Sequence, residues 1–312
     1  MKNEVLTYYS NGKLLLSGEY FVLRGAKALA MPLNRGQHLQ IARGTSDFKG
    51  IRWKSTFTNE YVFVALYEYP NLEIIHTNNL VTAEKLKSVL LKAKSLNPGF
   101  LLEHVPLNVT SSADFETSWG MGSSSSLVSN IAFWSDTDPF SLNSLVFGGS
   151  GYDIACARSD SPLLYRNENG TMEIKPVVFN PPFADSIYFI YTGKKENTRN
   201  NINGFRDKLK TITSDTIRLV SDLSVRMHQA RYLDEFEVYM VNHEKLVSDL
   251  IGVIPVQLTT FADFPGQIKS LGAWGGDYIM ATWKGSKSDL IHYFNQKNLF
   301  TIFALKEIIL SN

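Results

Sequence analysis

At 312 residues the chain is long for a single hydrophobic core, so two lobes are expected. Lys and Arg total 31 against 30 Asp and Glu, a formal charge of +1, which excludes the global field of a general nucleic-acid or membrane-surface binder. The one cysteine, Cys156, excludes an intrachain disulfide and a cysteine-based zinc site; with no signal-peptide pattern and no apolar run near the ~18 residues of a membrane span, the chain reads as cytoplasmic.

In chain order, "SNGKLLLSGEYFVLRG" places a strand after Asn11-Gly12, with Lys13 at its start and Gly18-Glu19 at its end. "HLQIAR", "LEIIHT" and "PLNVTS" read as further strands. Between the last two, "TAEKLKSVLLKAKSLNPG" has helical spacing, with Thr82 as cap candidate and a stop at Pro98-Gly99. The segment "WGMGSSSSLVSNIAFW" then sets Gly120, Gly122 and four serines before Leu127, Ile131 and Trp134, which recur at helical spacing. A helix opened by glycines and capped by one of the serines would turn free amides outward, where a phosphate is stabilised by backbone donors and the helix dipole.

Next, "FGGSGYDIACA" leads three glycines into Asp153, an acid just inside a turn. The polar, proline-containing "RNENGTMEIKPVVFNPPFADS" marks the expected boundary between a lobe over 1–171 and a lobe over 172–312. "IYFIYTG" and "YIMATW" are predicted strands. The stretch from Ile202 to Ile251 is helical, and its apolar stripes read as core. The six histidines are scattered, which speaks against a histidine metal site. Near the C-terminus "KSLGAWGGDYIMATW" packs Gly272, Gly275 and Gly276 into a loop richer in glycine than a hairpin needs. Strands and helices interleave without a regular βαβ rhythm, which favours an α+β fold.

Together "NGKLLLSGEY", "GMGSSSS", "GSGYDIA" and "GAWGGD" resemble, in order, the four signatures of the GHMP kinases, the family named for galactokinase, homoserine kinase, mevalonate kinase and phosphomevalonate kinase. The resemblance implies a two-lobed fold, with an N-terminal lobe like ribosomal protein S5 domain 2 and a ferredoxin-like C-terminal lobe. It implies ATP and Mg²⁺ as cofactors and a hydroxy acid or its phosphate as acceptor, mevalonate or 5-phosphomevalonate, in a monomer or homodimer; the "GEY" and "GGD" variants resemble phosphomevalonate kinases, while Asp153 favours an alcohol acceptor. A sugar or homoserine kinase and a nucleotide-binding pseudokinase are the alternatives.

By the same resemblance Gly120, Gly122, Ser123, Ser124, Ser125, Gly272, Gly275 and Gly276 would hold the nucleotide. Ser124 would ligate Mg²⁺, with Glu19 or water in place of the family glutamate, whose position falls on Leu142. Lys13 and Asp153 would form the pair at the acceptor. Trp274 stands where the family has a loop glycine and Met121 where it has leucine. An acidic acceptor needs cations, for which Lys13, Arg35, Lys194, Lys195 and Arg199 are candidates.

Overall fold

The computed structural model describes residues 5–45, 48–58, 60–193, 205–272, 274 and 277–310. Two compact units emerge, and neither is one stretch of chain. The first takes Met1–Gly12, Arg35–Thr117 and Gly122–Arg158; the second takes Lys13–Asn34, Ser118–Met121 and Ser159–Asn312. Two long strands, β1 (Val5–Ser17) and β2 (Ala28–Arg43), supply residues to both units and pair with each other.

In the first unit follow β3 (Gly50–Phe57), β4 (Glu60–Glu68), β5 (Glu73–Thr77), α1 (Leu80–Leu96), β6 (Leu107–Ala113), α2 (Ser123–Trp134), α3 (Pro139–Val146) and α4 (Tyr152–Ala157). The strands stand in the order β5-β4-β3-β6-β2. β3 and β6 run parallel, from Ile51 opposite Leu107 to Phe57 opposite Ala113, because the chain returns between them through β4, β5 and α1. Along β3 the residues Ile51, Trp53 and Ser55 are buried while Arg52 and Lys54 are exposed, the period-two pattern of a sheet with one covered face. Leu39, Ile41, Ile51, Trp53 and Val109 meet Ala83, Leu86 and Leu90 of α1, Val128 and Ile131 of α2, Leu142 of α3 and Ile154 of α4 in one core. α1 starts one turn earlier than its threonine suggests: Asn79 is the N-cap, and its side chain accepts the Thr82 N–H at 3.0 Å.

The second unit carries the hairpin β7 (Leu163–Glu168) and β8 (Thr171–Pro176), whose first strand pairs with Ala28, Leu29 and Ala30 of β2. After it come β9 (Ile187–Tyr191), α5 (Arg206–Lys210), α6 (Ser214–Gln229), α7 (Leu233–Ile251), α8 (Val256–Thr259), β10 (Ile268–Ser270), β11 (Tyr278–Thr282), α9 (Lys287–Gln296), β12 (Ile302–Ala304) and α10 (Leu305–Ile308). These strands form an antiparallel sheet in the order β10-β11-β9-β12, with helices after its first and third strands. That succession and order is the ferredoxin-like arrangement. Met172, where the sequence places the lobe boundary, pairs with Asn167 inside the β7–β8 hairpin.

One face of the second sheet packs Tyr188, Ile190, Ile268, Ile279 and Ala281 against Phe261, Phe264, Leu290 and Phe294. Ile190 lies on the central strand β9 and is fully buried. Ile190→Ala should cost about 2–5 kcal/mol of stability, through lost transfer energy and the cavity left behind. A urea titration giving a loss well under about 1 kcal/mol would mean that this core does not hold the unit together.

Candidate active site

The serine-rich segment opens α2 differently from the capping expected of it. Gly122, not a serine, is the N-cap; it sits at φ 91° and offers no side chain to the first turn. The Ser126 N–H closes the first helical bond to the Gly122 carbonyl at 3.0 Å, so the amides ahead of it have no such partner within the helix. Ser124 is exposed and Ser123 half-buried, whereas Ser125 and Ser126 are buried.

Those buried serines belong to a polar seam within the first unit. The Ser125 hydroxyl donates to the Gly122 carbonyl at 2.8 Å, and the Ser126 hydroxyl to Gln37 Oε1 at 2.7 Å. Gln37 Nε2 donates to Ser111 Oγ at 2.6 Å on β6, and Asn130 Nδ2 to the Gln37 carbonyl at 2.8 Å. The Ser10 hydroxyl of β1 completes the chain on Asn130 Oδ1 at 2.8 Å. Each of these groups would cost free energy if buried alone, so together they hold α2 in a single rotational setting against the sheet. Gln37, Ser111 and Asn130 carry no motif of their own in the sequence, and only Asn130 lies near one.

Asp153 sits in the first turn of α4, half-buried, behind Gly151 at φ 87° as N-cap. Cys156 on the same helix is fully buried. Leu142, where the family acid would fall, is a fully buried member of the apolar core, a place that would force a carboxylate to be neutral or unpaired.

In the second unit three motifs from distant parts of the chain meet at Gly120. The Lys13 ammonium donates to the Gly120 carbonyl at 3.0 Å, and the Lys13 N–H to the Met121 carbonyl at 2.9 Å. A Cβ placed on Gly120 would lie 2.5 Å from the Asp277 carboxyl carbon, so the close approach requires glycine there. Asp277 ends the C-terminal glycine motif, is 9% exposed, and holds its chain position through its carbonyl, which accepts the Thr192 N–H at 2.9 Å. The "GGD" signature contains it, but the spacing of that motif assigns it no role; its approach to Gly120 does. Gly272 is left-handed at φ 67°; Gly275 and Gly276, like Lys194, Lys195 and Arg199, lie outside the described residues. Trp274 is buried with Tyr20, Phe21, Leu209, Val220 and Val247 of the same unit, a core position.

Glu19 takes a different place from the metal site expected for it. Its carboxylate is 1% exposed and accepts the ammonium of Lys269, itself fully buried. Burial pushes the Glu19 carboxyl up while the Lys269 charge pulls it down. With this ion pair its charge is already compensated, and we assign it there rather than to a metal. His243 Nε2 lies 3.4 Å from the same carboxylate, yet the ring is neutral: that nitrogen accepts the Gly18 N–H at 2.7 Å, and burial holds its pKa well below the usual histidine range. Glu244 accepts the Ser270 N–H with both oxygens, at 3.0 and 3.2 Å. Among the described residues no group of three or more His, Cys, Asp or Glu is arranged to hold a metal ion, and no helix is long and apolar enough to cross a membrane.

Burial raises the Glu244 carboxyl to about 7 against the pull of Lys269 and the Ser270 N–H. The folded state therefore holds this proton more tightly than the unfolded state, and the corresponding stability is present below about pH 4.5 and lost as pH rises through about 7. Glu244→Gln should remove up to about 3 kcal/mol of the decline in unfolding free energy between about pH 5 and about pH 8. Urea titrations at the two pH values measure it; an undiminished decline in the variant would move the titration to another group.

No family model and no curated protein sequence matches the chain. Solved structures match it almost end to end. A mevalonate kinase from L. major, in complex with R-mevalonate, aligns with a TM-score of 0.66 at 17% identity, covering 99% of this chain and 97% of that one. The phosphomevalonate kinase of Streptococcus pneumoniae, in complex with phosphomevalonate and AMPPNP, aligns at 0.68 and 17%, covering 96% and 99%. The galactokinase of Lactococcus lactis, complexed with galactose, gives 0.67 and 14%, covering 99% and 94%. At such identities the likeness speaks for architecture: the chain has the α+β fold of the GHMP kinases over nearly its whole length.

Proposed function

We propose that the protein is an ATP-dependent small-molecule phosphotransferase. The observation that carries this reading is the start of α2, a glycine N-cap with no side-chain cap and an exposed Ser124 hydroxyl, within the fold of small-molecule kinases. Three adjacent uncapped amides at the positive end of a helix dipole fit the oxygens of a nucleotide triphosphate. For Mg²⁺, which keeps several waters and takes few protein ligands, a serine hydroxyl beside the phosphates is a sufficient donor, and Ser124 is the residue we assign to it. When bound, Mg²⁺ neutralises charge on the phosphate oxygens.

The chain's own groups would do the rest. Gly120, Gly122, Ser123 and Ser125 shape the phosphate loop, and Gly272, Gly275 and Gly276 belong to the second glycine loop of the nucleotide site. Lys13, held at the Gly120 carbonyl, supplies a fixed positive charge to the transferring phosphoryl group. Asp153 accepts the proton of an alcohol acceptor; with a phosphate monoester, already ionised above a pKa of about 6, it only orients. We take the acceptor to be a small hydroxy acid or its phosphate, mevalonate or 5-phosphomevalonate, with a sugar or homoserine next in line, and the reaction to be cytoplasmic. A second reading, a nucleotide-binding protein without turnover, draws on the apolar burial of Leu142, which removes one acid from the family's set.

An ATP-consumption assay over a panel of hydroxy acids, their phosphates, sugars and homoserine separates these readings. ATP binding with no turnover on any acceptor would favour the second. Ser124→Ala should fold normally and shift the magnesium dependence of turnover to higher concentration; an unchanged magnesium titration would remove Ser124 from the metal. Asp153→Asn should lower kcat by on the order of 10²- to 10⁴-fold on an alcohol acceptor and far less on a phosphate acceptor. Full activity of the folded variant on an alcohol would take Asp153 out of the chemistry.

A further inference from the structure

Between β10 and β11 the described residues take strained conformations beside a short support. Gly272, Trp274 and Asp277 all sit at positive φ, 67°, 40° and 53°, and two of the three carry side chains that disfavour it. Such strain persists only where the surroundings over-determine it. β10, which leads into the loop, is three residues long and is paired with β11 through Ile268, Lys269 and Ser270 alone. At the loop base the Leu271 N–H donates to the Tyr278 carbonyl at 3.0 Å.

Immediately before that base, Ser270 is gripped on both sides by buried ionisable side chains. Its N–H is taken by both oxygens of Glu244, and its carbonyl accepts the Lys269 ammonium at 2.9 Å, the same ammonium that pairs with Glu19. All three ionisable groups are at most 4% exposed. As a source of stability this arrangement is poor, since well-packed apolar residues serve at least as well as a buried ion pair. Its directional bonds end on the peptide groups of one residue.

We infer that Glu244 and Lys269 are positioning residues that cradle Ser270 and thereby fix the glycine loop, keeping Asp277 against Gly120. The consequence for catalysis rests on the kinase reading: a loosened loop frees Gly120, and the cost falls on nucleotide binding. Lys269 bears on the Ser270 carbonyl, Glu244 on its N–H, and Glu19 holds the lysine in place from the end of β1.

The test compares Glu244→Leu, which removes the acceptor, with Glu244→Gln, which keeps the shape and one acceptor oxygen but not the charge. Backbone hydrogen exchange of the full chain without nucleotide is followed over residues 271–278 and, as reference, over β9 and β12. Glu244→Leu should speed loop exchange by about tenfold or more with the reference strands unchanged, and Glu244→Gln should fall between it and the wild type. KM for ATP should rise in the same order, with kcat changing less. Acceleration shared equally by β9 and β12, or loop exchange at the wild-type rate, would overturn the inference. If Glu244→Leu does not fold, Glu244→Gln decides: intermediate loop exchange supports the cradle, wild-type exchange rejects it. The exchange measurement uses no nucleotide, so an inactive wild type would sink the kinase reading while the exchange rates still decide the cradle.

Discussion

The absence of a side chain at Gly120 is the constraint on which the second unit's arrangement turns. Lys13 from β1 reaches its carbonyl, and the Asp277 carboxyl lies where a Cβ would be. Any larger residue would push Asp277 out of a loop already held at three left-handed positions. The loop in turn depends on the short strand behind it, and that strand on buried charge. A sterically small residue, a strained loop and an ionic cradle thus form one mechanical series within the unit.

Both units fasten their motif-bearing segments with polar groups set into otherwise apolar cores. In the first, the seam through Ser126, Gln37, Ser111, Asn130 and Ser10 fixes α2 to three strands. In the second, the Lys269–Glu19 pair and the Glu244 carboxylate on the Ser270 N–H do the same for β10. Apolar packing tolerates sliding and repacking, whereas a satisfied buried hydrogen bond has one good geometry. For the phosphoryl transfer proposed above, which is mostly a matter of placement, anchors that resist small shifts are suited.

Much of this is legible in the sequence where the signal is local. Glycines ahead of a helical stripe mark the start of α2, and six apolar or alternating runs mark strands that the fold contains. β3, β4, β7, β8, β10 and β12 escape: in β3 one of the inward positions is the polar Ser55, β4, "EYVFVALYE", is an apolar run that periodicity alone cannot tell from a helix, β7 and β8 run into the polar stretch read as a boundary, and β10 and β12 are three residues each. The cap of α2 is misleading because four serines offer good caps and the glycine that takes the position offers none. Glu19 reads as a metal ligand since its partner Lys269 is 250 positions away, and nothing local announces a buried ion pair of that span. The same holds for Gln37, whose glutamine side chain looks like any surface residue until β2 and α2 are brought together.

The interleaving of the two units along the chain carries a consequence for how the protein is made. The first unit's last residue is Arg158, while the segment Lys13–Asn34 belongs with partners that follow it. Ser17 waits for Ser224, Gly18 for His243 and Glu19 for Lys269. At ribosomal speeds of about 5–20 residues per second, the Glu19 carboxylate spends roughly ten seconds or more as a solvated charge before its lysine is synthesised. During that interval β1 already has its ladder partner β2, while Glu19 just beyond it still lacks its counter-ion. No single cleavage of the polypeptide releases either unit whole, and the turn that bears the first signature matures only once Lys269, 250 positions further on, has been added.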